Sequence, residues 1–266
     1  MSMKTVVERI TPDVAKTYLI TNKGNRYLRN SLVASFARDM KNGVWKLTHQ
    51  GIAFNKRGEL VDGQHRLSAI IFSETTQEMM VTRDVEDDVQ PAMDNGLVRG
   101  GSDHLFFAGV KRSVRYAAAL RGFLRGDQLS IGRISNSELV QYNIQYGEYI
   151  AFADDRLCKK AGVKQSAVCS AIARAKYFGI NPAWLERFCS VLDSGIGLSP
   201  HERTIITLRD MLMSDRMGHG TDEQREVYLK TERAIEAFVN SEVLTKIYSP
   251  KGELFPFPNG KKILMF

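Results

Sequence analysis

The sequence has few of the features that mark secreted, membrane-spanning or zinc-stabilised proteins. Its 266 residues include three cysteines, Cys158, Cys169 and Cys189, and this odd number does not suggest a disulfide framework. It contains no CxxC pair and no Cys/His cluster at metal-ligand spacing, which disfavours a structural zinc site. No apolar run could cross a bilayer, and the polar, charged start over 1–9 is unlike a secretory signal. We therefore expect a cytoplasmic protein without a membrane partner.

The composition is that of an ordinary globular protein with a basic surface. Hydrophobic residues make up 43% and charged residues 25% of the chain, and its length allows one large domain or two small ones. The net charge is +7, but residues 1–110 hold 14 Lys and Arg against 13 Asp and Glu, whereas 111–266 hold 23 against 17. This basic second half favours an anionic partner such as nucleic acid, although a merely basic surface explains it equally well.

The first half mixes helical and strand patterns, and the second half is helical almost throughout. Apolar spacing predicts helices over 29–41 and 64–73, and strands over 51–54, 59–61 and 79–83. After residue 102, Pro and Gly separate six candidate helices, at 103–125, 135–153, 164–178, 182–193, 200–214 and 221–240. We predict an α+β fold, with a mixed domain over 1–100 followed by an all-α domain over 101–266.

The turn Asp62-Gly63-Gln64-His65-Arg66, between an apolar run and a helix, carries most of the functional argument. Such residues are poor core material, and a strand, a Gly-containing turn and a helix start together form a familiar anion site. Gly63 lets a ligand approach the backbone closely, and Arg66 can grip a phosphate with two hydrogen bonds. Gln64 offers a donor and an acceptor, and His65 can donate a hydrogen bond or move a proton as a catalytic residue.

Asp62 allows two interpretations. It stands where a helix N-cap is expected, and in that role it holds the turn without any ligand. Alternatively, it binds the metal ion that accompanies a polyphosphate, or acts as a catalytic base.

The segment 60–69, Leu-Val-Asp-Gly-Gln-His-Arg-Leu-Ser-Ala, resembles the DGQHR signature of the ParB/sulfiredoxin superfamily, as found in proteins of phages and mobile elements. ParB-type proteins bind CTP with a related Gly-x-x-Arg box, and sulfiredoxins bind ATP with a Gly-Cys-His-Arg version. The resemblance implies a ParB/sulfiredoxin-like fold for 1–100 and a nucleoside triphosphate ligand, ATP or CTP, with or without magnesium. Gln64 replaces the catalytic cysteine of sulfiredoxins, so their chemistry is not expected.

Further residues extend this resemblance. An Asn/Arg pair one helix upstream lines the nucleotide pocket in ParB-like domains, which implies this role for Asn25 and Arg26, with Arg29 as a third candidate. The turn 94–96, Asp-Asn-Gly, and Arg99 also match many ParB-like proteins of phages and mobile elements. For Arg26 and Arg29 alone, a solvated helix start is an equally good explanation.

Two segments of the second half are candidates for DNA contact. One basic helix face would carry Lys111, Arg112, Arg115, Arg121 and Arg125, although an ordinary amphipathic helix explains the pattern too. The segment 161–169 has the glycine turn of a helix-turn-helix, but an interior helix of small residues fits it as well.

These patterns lead to one principal hypothesis and two alternatives. The principal one is a ParB-like nucleotide-binding protein of a phage or mobile element that acts on or with DNA. The first alternative is an enzyme, either a phosphotransferase or a metal-dependent nuclease, that uses the same phosphate box, the residues 62–66. The second is a non-catalytic interaction protein that keeps the fold. A homodimer is left open.

Overall fold

The computed structural model describes residues 2–23, 25, 27–86, 100–110, 114–128, 132–157, 162–214 and 220–257. The chain forms two compact units. Unit 1 comprises 1–98 with the short stretch 133–138, and unit 2 comprises 99–132 and 139–266. The sites predicted at Arg26, Lys111, Arg112, Arg99 and the turn 94–96 lie outside the described residues.

Unit 1 contains a four-stranded sheet. Its strands are β1 (Lys4–Ile10), β2 (Ile52–Asn55), β3 (Leu60–Asp62) and β4 (Gln77–Val85), in the spatial order β1-β4-β2-β3. β4 pairs antiparallel with β1 and parallel with β2, while β2 and β3 form an antiparallel hairpin. β2 is buried along its whole length, which fits its position inside the sheet.

In the described part of 1–98, unit 1 also contains the helices α1 (Pro12–Ile20), α2 (Asn30–Lys41) and α3 (Gln64–Ser73). α1 begins where the Thr11 side chain accepts the Val14 amide and Pro12 occupies the first turn, a position that suits its fixed φ. Apolar residues of the helices and the sheet form one core: Ile10, Ala15, Val33, Ala37, Met40, Ile52, Phe54, Leu60, Leu67, Ala69, Ile70, Met79 and Val81.

The stretch 133–138 belongs to unit 1 through two side chains of α2. Arg38 Nε donates to Glu138 Oε1 at 2.8 Å, and Ser135 Oγ donates to Asp39 Oδ1 at 2.8 Å. Ser135 and Glu138 also bond each other's backbone amides, as in a capping box. Burial raises the pKa of Asp39 to about 6.

Unit 2 is helical in its described part. Its helices are α4 (Gly101–Phe107), α5 (Val114–Arg125), α6 (Asn136–Arg156, whose first turn is grouped with unit 1), α7 (Ser166–Phe178), α8 (Pro182–Ser194), α9 (Arg203–Met213) and α10 (Thr221–Val239). A short 3-10 turn, Pro200–Glu202, precedes α9. α7 is the central helix, because every residue from Ala167 to Ala175 is buried, and it packs against α5 and α10. No helix of the described segments is long and apolar enough to span a bilayer.

The structure is a mixed α and β chain, and it corrects three details of the expected pattern. β1 and α1 were not predicted, because the polar run before Ile10 shows no clear alternation. The single helix expected over 103–125 is two helices, since α4 ends at Phe107 and Gly109 adopts φ +90°. The helix-turn-helix interpretation of 161–169 is wrong, because a recognition helix must reach a DNA groove and α7 is buried.

Candidate functional site

The turn between β3 and α3 is shaped by Gly63. This residue is the N-cap of α3, with φ 105° and ψ 0°, in the left-handed region that favours glycine. A Cβ atom on Gly63 would lie 3.0 Å from Ile52 Cα and 3.0 Å from Ile52 Cγ1. Glycine is therefore required here both by the backbone angle and by the close approach to β2.

Asp62 holds this turn, as one of its two interpretations predicts, but the N-cap of α3 is Gly63. Its Oδ1 accepts the Gly63 amide at 2.7 Å, so the cap position falls one residue later than the sequence suggests. Its Oδ2 lies 3.7 Å from Arg66 Nη1, and 48% of its side chain is exposed. Asp62 therefore keeps a carboxylate at the surface beside the arginine of the box.

Arg66 is held in place by the segment that leads into β2. Its Nη1 donates to the Gly51 carbonyl at 3.1 Å and its Nη2 to Gln50 Oε1 at 3.1 Å, leaving 15% of the side chain exposed. Gly51 has no room for a Cβ atom, which would fall 1.8 Å from the Met80 carbonyl oxygen. The guanidinium is therefore fixed before any ligand arrives, which lowers the entropy cost of binding an anion.

His65 connects the starts of two helices. Its Nε2 accepts the backbone amide of Arg29, the N-cap residue of α2, at 3.0 Å, and the ring is buried. An accepting Nε2 places the proton of the neutral ring on Nδ1. Because a general base needs that lone pair for its substrate, this geometry favours a positioning role over the predicted catalytic one.

Gln64 and Asn25 belong to a chain of amide side chains. Asn25 Nδ2 donates to Asn22 Oδ1 at 2.7 Å and to the Leu60 carbonyl at 2.7 Å. Asn22 Nδ2 in turn donates to Gln64 Oε1 at 3.2 Å. The structure thus brings Asn25 to the box through Asn22, a residue that sequence reasoning missed.

Among the described residues, no group of three or more His, Cys, Asp or Glu side chains could hold a metal ion. Asp62 supplies one half-exposed carboxylate, a type of ligand that magnesium uses together with phosphate oxygens and water. The charges at the turn are the Arg66 cation, the partial positive charge of the α3 start and the Asp62 anion. This combination fits a metal-bound polyphosphate better than a bare anion.

Gln50 and Gly51 also belong to the site, although neither carries an independent signal in the sequence. Gln50 has no recognisable motif, and Gly51 resembles the first residue of a strand. Their roles depend on contacts with Arg66 and Met80, which lie 15 or more positions away along the chain. No local pattern reports such contacts.

The predicted basic face on α5 is uneven. Arg115 is exposed, whereas Arg121 and Arg125 are half-buried, and the apolar side of α5 is buried as expected. Burial lowers the pKa of Arg121, and Arg125 Nε has no hydrogen-bond acceptor among the described residues. Of the three described arginines, Arg115 is the one whose side chain is exposed enough to reach a phosphate backbone.

Comparison of the chain with models of protein families, with curated proteins and with solved structures found no match.

Proposed function

We propose that this chain is a ParB-like nucleotide-binding protein that holds the phosphates of ATP or CTP, with magnesium, at the turn Asp62–Arg66. The observation that carries the proposal is the arrangement of Arg66. Its guanidinium is fixed by Gly51 and Gln50 at the start of α3, with the Asp62 carboxylate within 4 Å. A cation fixed at a helix start favours a phosphate group, because the helix dipole and the charge-assisted hydrogen bonds act on the same anion.

Each member of the box has a part in this proposal. Gly63 keeps the turn open to close approach, and Arg66 binds phosphate oxygens. Asp62 holds the turn and binds magnesium through the oxygen that faces away from the Gly63 amide. His65 and Gln64 position the box against α2 and the Asn22–Asn25 pair.

Calorimetric titration with ATP, CTP, GTP and ADP, with and without magnesium, tests the proposal directly. We expect at least one triphosphate to bind, more tightly with magnesium. Arg66→Ala should weaken binding by about 10- to 100-fold, because a charge-assisted hydrogen bond contributes roughly 1.5–3 kcal/mol. Arg66→Lys keeps the charge but lacks the planar guanidinium. Its affinity for the nucleotide should therefore lie between those of the wild type and Arg66→Ala.

Arg57→Ala is the matched control. Arg57 is an exposed arginine in the β2–β3 turn that pairs with Glu59, so its loss removes an equal charge from the hairpin next to α3 without touching the box. Thermal melting of each variant separates loss of binding from loss of folding. The proposal is wrong if the wild-type chain binds none of these nucleotides, or if Arg66→Ala and Arg57→Ala bind equally well.

Action on or with DNA, in the cytoplasm of a host carrying a phage or mobile element, is the second part of the proposal. It is supported by the basic excess of 111–266 and by the exposed Arg115. The alternatives of a phosphotransferase or a nuclease would need a base, and Asp62 is the box residue whose carboxylate is exposed enough for that role. Incubation with labelled nucleotide distinguishes these alternatives, because turnover would indicate an enzyme and binding alone would indicate a switch.

A further inference from the structure

β1 forms one edge of the sheet in unit 1. β4 runs along one side of β1, in a register from Lys4 opposite Arg83 to Ile10 opposite Gln77. Within the described residues, no other strand pairs with its second side. An edge strand presents a row of backbone N–H and C=O groups that can pair with another extended chain.

The side chains of β1 suit such pairing. Val6 and Val7 are 50% and 52% exposed, and they lie on opposite faces of the strand. With Thr5 they form a β-branched centre, and the strand has no Pro or Gly that would disfavour pairing. This is a seven-residue edge with exposed apolar side chains at its middle.

We propose that β1 pairs with β1 of a second copy of this chain, antiparallel about a two-fold axis through Val6. In this register each Lys4 lies opposite Glu8 of the other copy, each Thr5 lies opposite Val7, and the two Val6 side chains meet. Opposite charges and β-branched pairs directly across an antiparallel pair are stabilising. In this register the strand is therefore complementary to itself in charge, with β-branched residues paired at its centre.

Neighbouring registers lose this complementarity. An axis between Val6 and Val7 would place Lys4 opposite Arg9 at both ends, where like charges repel. An axis through Val7 would place Val6 opposite Glu8, an apolar side chain against a carboxylate. Since a slip of one residue also exchanges the two faces of a strand, the charges select the register centred on Val6.

Glu8 is fixed in position within its own unit, where it already pairs with Arg83, and Lys4 of the second copy would add a second cation to this carboxylate. Tyr18 Oη donates to Glu8 Oε2 at 2.7 Å, and Arg83 bonds both carboxylate oxygens. The bond from Arg83 lowers the pKa of Glu8, which keeps the carboxylate ionised. Lys4 is exposed on the same face of the strand, two positions beyond Val6.

Disulfide cross-linking tests the register. With Val6→Cys, the two sulfur-bearing residues are directly opposite, with Cα atoms about 4.5–5.5 Å apart, inside the disulfide range of roughly 4.4–6.8 Å. With Val7→Cys, an offset of two residues along the strand separates the Cα atoms by about 8 Å, which is too far. Cys158→Ser is the background for both, because Cys169 and Cys189 are buried. We expect a covalent dimer for Val6→Cys and little for Val7→Cys.

Sedimentation velocity tests the association itself, over about 1 µM to 1 mM, the range of weak complexes. A strand pair is smaller than a standard interface of about 1,600 Å², so we expect a dimer that dissociates on dilution. Lys4→Glu turns both attractive pairs into Glu–Glu pairs and should raise the dissociation constant about tenfold. Lys46→Glu, at an exposed loop residue, is the control with equal charge change.

Three results would overturn the proposal. A monomer at every concentration would mean that this chain covers its own edge, or that the edge serves an extended segment of another protein. Equal cross-linking of Val6→Cys and Val7→Cys would contradict the register. A dimer that responds equally to Lys4→Glu and Lys46→Glu would use a different surface.

Discussion

Replacing Gly63 with alanine should destabilise unit 1, although the substitution removes no functional group from the turn. The residue has φ 105°, and an added Cβ atom would lie 3.0 Å from two atoms of Ile52. The turn cannot move away from Ile52 easily, because β2 is buried along its length and the Gly63 amide is bonded to Asp62.

Two contributions set the size of the effect. A non-glycine residue in the left-handed region costs about 1–2 kcal/mol. Crowding a packed core by one methyl group costs about 1–3 kcal/mol more, because neighbouring groups must shift. We therefore expect a loss of about 2–5 kcal/mol in the free energy of unfolding, a large part of the roughly 5–15 kcal/mol of a typical domain.

Gly58→Ala separates the two contributions. Gly58 lies in the β2–β3 turn with φ +75°, and a Cβ atom there would meet nothing within 4 Å. It should therefore cost only the backbone strain, about 1–2 kcal/mol. The difference between the two variants then measures the contact with Ile52.

Urea unfolding followed by tryptophan fluorescence is a suitable assay, because the two tryptophans report on different units. Trp45 packs against Phe36 in unit 1, and Trp184 packs against Phe238 in unit 2. In a Trp184→Phe background the signal comes from unit 1, and Gly63→Ala should lower its midpoint by about 1–2 M urea. If Gly63→Ala were no more harmful than Gly58→Ala, the packing argument at Ile52 would be refuted.

Two further predictions concern unit 2. Burial raises the pKa of Glu232 from 4.5 to about 7, so its stabilising contribution is complete below about pH 4.5 and is lost as the pH rises through about 7. We expect the thermal midpoint reported by Trp184, in a Trp45→Phe background, to fall over this window, and Glu232→Gln to flatten the fall; parallel profiles would contradict this. For DNA, Arg115→Ala should reduce the slope of log K against log salt by about 1, whereas Arg121→Ala should lower stability because its guanidinium is half-buried. Fluorescence anisotropy in a salt series measures the slope, and an unchanged slope for Arg115→Ala would remove that residue from the interface.

The sequence predicts the elements of this fold where apolar spacing is strong. α2, α3 and the β2–β3 hairpin fall within one or two residues of the expected bounds, as do α8 and α10. β1 was missed because it lies at an edge, where both faces are largely exposed and no alternation is required. The helix over 103–125 was drawn too long because apolar residues continue past Phe107, and the break at Gly109 interrupts a favourable pattern.

The candidate site was predictable in composition but not in geometry. The residues Asp62 to Arg66 attract notice because they are polar between apolar neighbours. Their hydrogen bonds depend on residues far away in sequence, such as Gly51 for Arg66 and Arg29 for His65. Capping of α3 was one of the two interpretations of Asp62, because Asp is a favoured cap, but Gly63 takes that position since the turn needs a left-handed residue there.

The central position of α7 has a consequence during synthesis of the chain. α7 packs against α5, which precedes it, and against α10, which ends about 60 residues later at Val239. At about 5–20 residues per second, α7 must wait roughly 3–12 s after its own translation before α10 can cover it. During that interval the apolar surface of α7 that α10 later covers stays exposed, and a pause in translation before residue 221 would prolong this exposure.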